Sequence, residues 1–188
     1  MEELEAGLGN VARCPKDHGE LKLIVCRPRN GEREVLQEGQ LDLTVGLVGD
    51  NWKTRGSSKT SDGSAHPEKQ ITITNARMIA LVAGEQQRWQ LSGDQLFIDL
   101  DLSASNLPPG TQLIIGSAIL EITASPHNGC KKFAARFGED AVRFMSLPGR
   151  KEMHLRGVNA RVVQPGMIRV GDRVRKARPI ESSSIIGL

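Results

Sequence analysis

Apolar and polar positions alternate over short stretches along most of the chain. Residues 21–27 form a β-type run closed by Pro28, and Asn30-Gly31 offers a tight turn before a further apolar pair at 35–36. Residues 41–45, 70–74, 95–102, 112–115 and 118–123 read as strands, with 70–74 the strictest alternation. Near the end, Val158, Ala160 and Val162 share a face, and runs at 167–170 and 173–176 flank Gly171-Asp172, which predicts antiparallel hairpins. Helical spacing is confined to 76–83, ending at Gly84 with 86–91 as a continuation, and to 131–137, where Phe133, Ala134 and Phe137 recur. Many short strands, frequent turns and a couple of short helices predict a mainly β protein, a barrel or sandwich rather than alternating α/β.

Residues 1–20 contain Gly7, Gly9, Pro15 and Gly19 with no sustained period and predict an irregular leader. Residues 21–178 then form one domain and 179–188 a loose tail. Residues 53–69 are rich in Ser, Thr, Gly and Lys and lack apolar anchors, so they predict a mobile surface loop. The 188 residues suffice to bury a core without staples, and with four Phe and no Tyr, aliphatic side chains must fill it.

Charge and cysteine usage narrow the function classes. A net charge of +3 and few aromatics argue against a nucleic-acid partner but leave a local anionic ligand open. Cys14, Cys26 and Cys130 are odd in number and far apart, a poor disulfide framework that points to the reducing cytoplasm. An acidic start and no long apolar run predict neither a signal peptide nor a membrane span.

The sharpest chemical signal is the stretch from Ser125 to Phe137. Pro126 and Asn128-Gly129 turn the backbone ahead of Cys130, which then opens the helical run at 131–137. A helix start with Lys131, Lys132 and Arg136 nearby favours a thiolate, the form that acts as nucleophile or metal ligand. The competing reading is a small buried thiol beside solvated lysines. Cys14 and His18 together with His127 and Cys130 would make a zinc set, but their spacings follow no recognised pattern. Phosphate-loop, nucleophile-elbow and zinc-protease motifs are missing from the sequence.

Several separated pieces taken together resemble one family. They are 46–50 (Gly-Leu-Val-Gly-Asp), 70–73, 113–123, Cys130, 156–162 with its Arg156-Gly157 start, and 166–174 with Gly171-Asp172. In order and spacing they are similar to the MOSC domain, the module named from the C-terminal part of molybdenum-cofactor sulfurases. The resemblance spans residues 21–176 and implies a closed or partly open β-barrel of the pyruvate-kinase-barrel type with one functional cysteine.

The resemblance makes Cys130 a sulfur (persulfide) carrier, as in sulfurtransferases, or a molybdenum ligand in the molybdopterin cofactor. His127, Asn128, Lys131, Lys132 and Arg136 would then hold the cofactor's phosphate and dithiolene side. Asp50, Arg156 and Arg161 are further candidates, with local turn capping for Asp50 and ordinary ion pairs for the arginines as alternatives. Asp172 is read as structural. Family members often carry an acid–Asn pair where this chain has Asp94-Gln95, and Pro where it has Gly129.

The chain has no room for the pyridoxal phosphate domain linked to the family. Activity would therefore need a cysteine desulfurase or a molybdoenzyme or reductase partner. A binding or scaffold module for an anionic metabolite or partner protein is the reading from another class.

Overall fold

A computed structural model describes residues 1–128 and 131–177. Its strands are β1 (Gly19–Cys26), β2 (Glu34–Leu36), β3 (Glu38–Asp42), β4 (Gly46–Leu47), β5 (Ile71–Asn75), β6 (Leu96–Asp99), β7 (Gln112–Ile115), β8 (Ala118–Ile122), β9 (Val158–Gln164), β10 (Gly166–Arg169) and β11 (Arg173–Lys176). Helices are α1 (Glu2–Ala12), α2 (Trp52–Arg55), α3 (Ala76–Ala83), α4 (Lys131–Phe137) and α5 (Glu139–Met145), with short 3-10 turns at Pro67–Lys69, Gln86–Ser92 and Pro148–Met153.

Strands pair in the order β11-β7-β8-β9-β5-β6-β1, and Gly19↔Val174 joins β1 back to β11, closing a seven-stranded mixed barrel. β5 and β6 run parallel because α3 returns the chain between them. β2 extends β1, while β10, β3 and β4 form a separate three-stranded sheet.

The core has two parts. Leu21, Ile24, Ile71, Ile73, Leu96, Ile98, Leu120 and Ala160 belong to the aliphatic cluster that fills the barrel. Leu23 and Val25 of β1 and Phe97 of β6 pack in a second cluster with Met78, Ile79, Phe133 and Phe144 from the helices. β1 is therefore covered on both faces, so its apolar run is nearly unbroken rather than alternating.

Most predicted strands occur, and 131–137 is helical as expected. The hairpin expectation at the end fails. β10 pairs with β3 and β11 with β7 and β1, because a turn reverses the chain without choosing the neighbouring strand. Asp172 does serve that turn, accepting the Arg169 N–H at 2.7 Å.

The supposed irregular leader is α1, whose Leu4, Leu8 and Val11 join the second core. Gly7, one of the residues behind the irregular-leader expectation, sits where α1 meets α3: a Cβ there would lie 2.3 Å from a Leu81 methyl. Residues 86–91 form a separate 3-10 turn rather than an extension of α3, and α5 is helical where the sequence reading assigned nothing. The polar 53–69 segment contains part of α2 and a 3-10 turn, and Thr60 ties it together by donating to the Ser57 and Ser64 carbonyls. The tail expected at 179–188 lies outside the described residues.

Candidate functional site

β8 delivers the chain into a segment fastened to its neighbours at successive points. Thr123 donates its hydroxyl to the Glu68 carbonyl at 2.6 Å, and Asn159 of β9 donates to the Ser125 carbonyl at 3.0 Å. His127 then turns inward and donates Nε2–H to Asp94 Oδ1 at 2.6 Å. Asp94 Oδ2 receives Arg156 Nη1 at 2.6 Å, and Arg156 Nη2 reaches the Ser92 carbonyl at 3.1 Å. The guanidinium lies 4.6 Å from the ring centroid of Phe133 in α4, a cation–π contact in a desolvated setting.

Three residues before Cys130 and three after it, the chain is thus attached to one buried ion pair. Gly157 makes the close packing possible. At φ +117° it sits where a Cβ would meet the Ile73 carbonyl at 2.2 Å and crowd the His127 ring.

Asp94 is fully buried. Burial alone would raise its carboxyl, but the positive charge of Arg156, then the close contact and hydrogen bond of the His127 N–H, outweigh this and hold it well below the usual carboxylate range. His127 is pushed below its ordinary value by burial and then by Arg156, against the pull of Asp94. Arg156 already balances the single negative charge, so a second buried cation would be uncompensated and His127 stays neutral.

A matching pair lies beside it. Arg27, at the end of β1, grips Asp50 with Nε at 2.8 Å and Nη2 at 2.9 Å, and Asp50 also accepts the Trp52 N–H at 2.9 Å. Asp50 thus caps its local turn, the alternative to a ligand role, and in addition pairs with Arg27.

These pairs border a cleft of about 870 Å³ against the barrel wall, where Thr72 of β5 faces Asn159 of β9. Nine Arg and Lys residues line it: Arg27, Arg29 and Arg33 from the β1–β2 connection, Arg55, Lys59 and Lys69 from the polar loop, Lys132 and Arg136 from α4, and Arg156. Among the described residues no Asp or Glu is part of the lining. Buried atoms with no hydrogen-bond partner among the described residues include Arg33 Nε, His66 Nδ1 and Arg156 Nε, all on residues of this cleft. Arg33 is driven below its ordinary value by burial and then by Arg136 and Arg27, a crowding of cations that an anion would relieve. The residues present therefore fit a phosphate-bearing group.

Of the residues singled out from sequence, His127, Asn128, Lys132, Arg136 and Arg156 line the cleft, with Asp50 beneath it bound to Arg27. Lys131 is exposed and not part of the lining. Arg161 is not brought to the site: on β9 it bonds Glu121 at 2.7 Å on the surface, the ordinary ion pair weighed against a ligand role. His127, expected at the cofactor, is half-buried, with its ring turned onto Asp94 and its side chain 13% exposed. Cys130 lies outside the described residues.

The other thiols do not compete for its role. Cys14 and Cys26 are buried, and burial pushes each up to about 11. The zinc grouping has no counterpart, since no three metal-ligating side chains converge among the described residues. Asp94, Arg27, Arg33, Arg55 and Lys69 were missed; the one available signal was Asp94 standing at the family's acidic position.

Solved structures share the fold. The YuaD protein from Bacillus subtilis superposes with a TM-score of 0.63 at 16% identity, covering 85% of this chain and 97% of that one. YiiM from Escherichia coli gives 0.55 at 19% identity over 86% and 71%, and YiiM from Geobacillus stearothermophilus 0.56 at 14% over 85% and 75%. No curated protein matches the chain in sequence. Among the described residues no helix is long and apolar enough to cross a membrane. The MOSC domain profile matches residues 60–175, more than half of the sequence, so the chain belongs to the MOSC domain family, a membership that suggests a molybdenum-cofactor-related role.

Proposed function

We propose that the protein binds an anionic, phosphate-bearing pterin cofactor of the molybdopterin type in the basic cleft, with Cys130 supplying a thiolate toward the metal. The cleft carries this reading: about 870 Å³ lined, among the described residues, by nine Arg and Lys and no carboxylate is more than a persulfide on one thiol requires. When bound, such a cofactor would supply redox or oxygen-transfer chemistry at molybdenum, for which a thiolate is a suitable soft ligand.

The chain's own residues bind and orient. Arg33, Arg55, Lys59, Lys69, Lys132 and Arg136 have no carboxylate partner within 4 Å among the described residues and are available to a phosphate. Arg27 and Arg156 are neutralised by Asp50 and Asp94, so they shape the floor. Neutral His127 fixes the approach to Cys130 without adding charge. A sulfur source or reductant would come from a partner protein.

The test is expression of the full chain in a host that makes molybdopterin, with molybdenum measured by mass spectrometry and pterin by fluorescence after oxidation. Near-stoichiometric molybdenum and pterin are expected; Cys130→Ser should lose molybdenum, and Lys69→Glu with Arg33→Glu should lose both. Protein free of both that still binds inorganic phosphate would replace this reading with an anionic-metabolite module.

A further inference from the structure

The Ser125–Asn128 segment has a second side. There a separate cavity of about 490 Å³ opens between β8, α5 and the Pro148–Met153 turn. Its character differs from that of the basic cleft: its exposed Lys151 and Glu152 carry one charge of each sign, and its buried lining is mostly apolar. Leu107, Ile122, Met145, Leu155 and Val158, all buried, form much of its lining. The Arg156 guanidinium at its border is already committed to Asp94 and Ser92.

Among the polar groups, His154 has a defined ring orientation. At φ 47° it caps the 3-10 turn in the left-handed region, and its Nδ1 lies 2.9 Å from the Leu102 carbonyl. A carbonyl only accepts, so Nδ1 carries a proton, and in the tautomer with that proton alone Nε2 is a hydrogen-bond acceptor. Apolar walls of this kind disfavour a charged ligand, whose burial would be uncompensated, and the volume suits a small molecule.

We propose that this cavity binds a neutral, predominantly apolar small molecule with one hydrogen-bond donor, its body against Leu107, Ile122, Met145, Leu155 and Val158 and its donor on His154 Nε2. The Ser125–Asn128 segment is the wall common to both cavities. A neutral molecule and an anionic one thus occupy opposite sides of the chain just ahead of Cys130. Calling the neutral molecule a substrate rests on the cofactor reading; its binding does not.

The experiment is methyl NMR of the full chain titrated with benzyl alcohol, toluene and benzoate, with inorganic phosphate titrated separately. Benzyl alcohol should give saturable shifts at Leu107, Ile122, Leu155 and Val158. Toluene, lacking the donor, should bind roughly threefold to tenfold more weakly, and benzoate at least about tenfold more weakly at these methyls. Ala104→Trp, which fills the cavity from a loop, should abolish the neutral shifts while phosphate binding persists. His154→Gly, which suits the left-handed backbone, should erase the preference for benzyl alcohol over toluene.

Neutral shifts that are absent, that survive in a folded Ala104→Trp protein, or that benzoate matches would overturn the proposal. Loss of phosphate binding alone would strike only at the cofactor reading.

Discussion

Asp94→Asn tests the clamp beneath the site. The substitution keeps the shape but removes the charge that compensates Arg156, leaving a guanidinium with 8% side-chain exposure without a counter-ion. His127 also exchanges a charge-assisted bond for a neutral one. Breaking one partner of a buried pair costs about 3–5 kcal/mol. Against a total stability of about 5–15 kcal/mol, the variant should fold but with a reduced margin.

For a chain of this size each kcal/mol shifts the melting temperature by about 2–4 °C, so calorimetry should show a drop of roughly 6–20 °C. Urea unfolding of the cofactor-free protein gives the free energy directly. The companion variant Arg156→Met removes the orphaned charge, so Asp94→Asn combined with Arg156→Met should be clearly less damaged than the sum of the single losses. A single loss below about 1 kcal/mol, or strict additivity in the double variant, would refute the ion pair as a compensated buried unit.

Three further outcomes follow from the same geometry. Arg161→Ala removes only a surface pair with Glu121, so stability should change by less than about 1 kcal/mol and phosphate affinity not at all; weakened phosphate binding would return Arg161 to the site. Gly157→Ala forces a Cβ to within 2.2 Å of the Ile73 carbonyl at φ +117°, and urea unfolding should register a loss of roughly 2 kcal/mol or more. His127 is depressed in the folded state, so the unfolded chain takes up its proton first. Its contribution is complete above about pH 6.5 and declines as pH falls below that value, with Asp94 adding a second decline below about pH 3.9. Stability measured against pH for the wild type and His127→Gln should diverge in slope just below pH 6.5; parallel curves would mean that His127 titrates in the native state as it does in the unfolded chain, and the depressed reading would fall.

The barrel was legible because its strands announce themselves by period. The 70–74 alternation and the valine face of 158–162 are the register of β5 on β9, Ile71↔Ala160 and Ile73↔Val158. The family's motif order added the closure that period alone leaves open between barrel and sandwich. What stayed hidden was partnership. Gly171-Asp172 marks a reversal but does not say that β10 leaves for β3, and Gly7 counts toward an irregular leader when it is a helix contact point. The candidate site was legible along the chain near Cys130 and illegible across it. Arg33, Arg55 and Lys69 are scattered among ordinary polar residues and become one surface only when the β1–β2 connection and the polar loop fold over the same wall.

The two buried arginine–carboxylate pairs explain why so basic a cleft is compatible with a stable fold. Were Arg27 and Arg156 uncompensated, their desolvation would add to the mutual repulsion of Arg33, Arg55, Lys69 and Lys132. Asp50 and Asp94 confine the unbalanced charge to side chains nearer water, where repulsion is screened and an incoming anion can relieve it. A consequence for the thiol segment is that its mounting and its ligand field are separate. His127 and Phe133 fasten it to a neutral Asp94–Arg156 pair, so filling the cleft with an anion changes the potential around the segment without loosening what holds it.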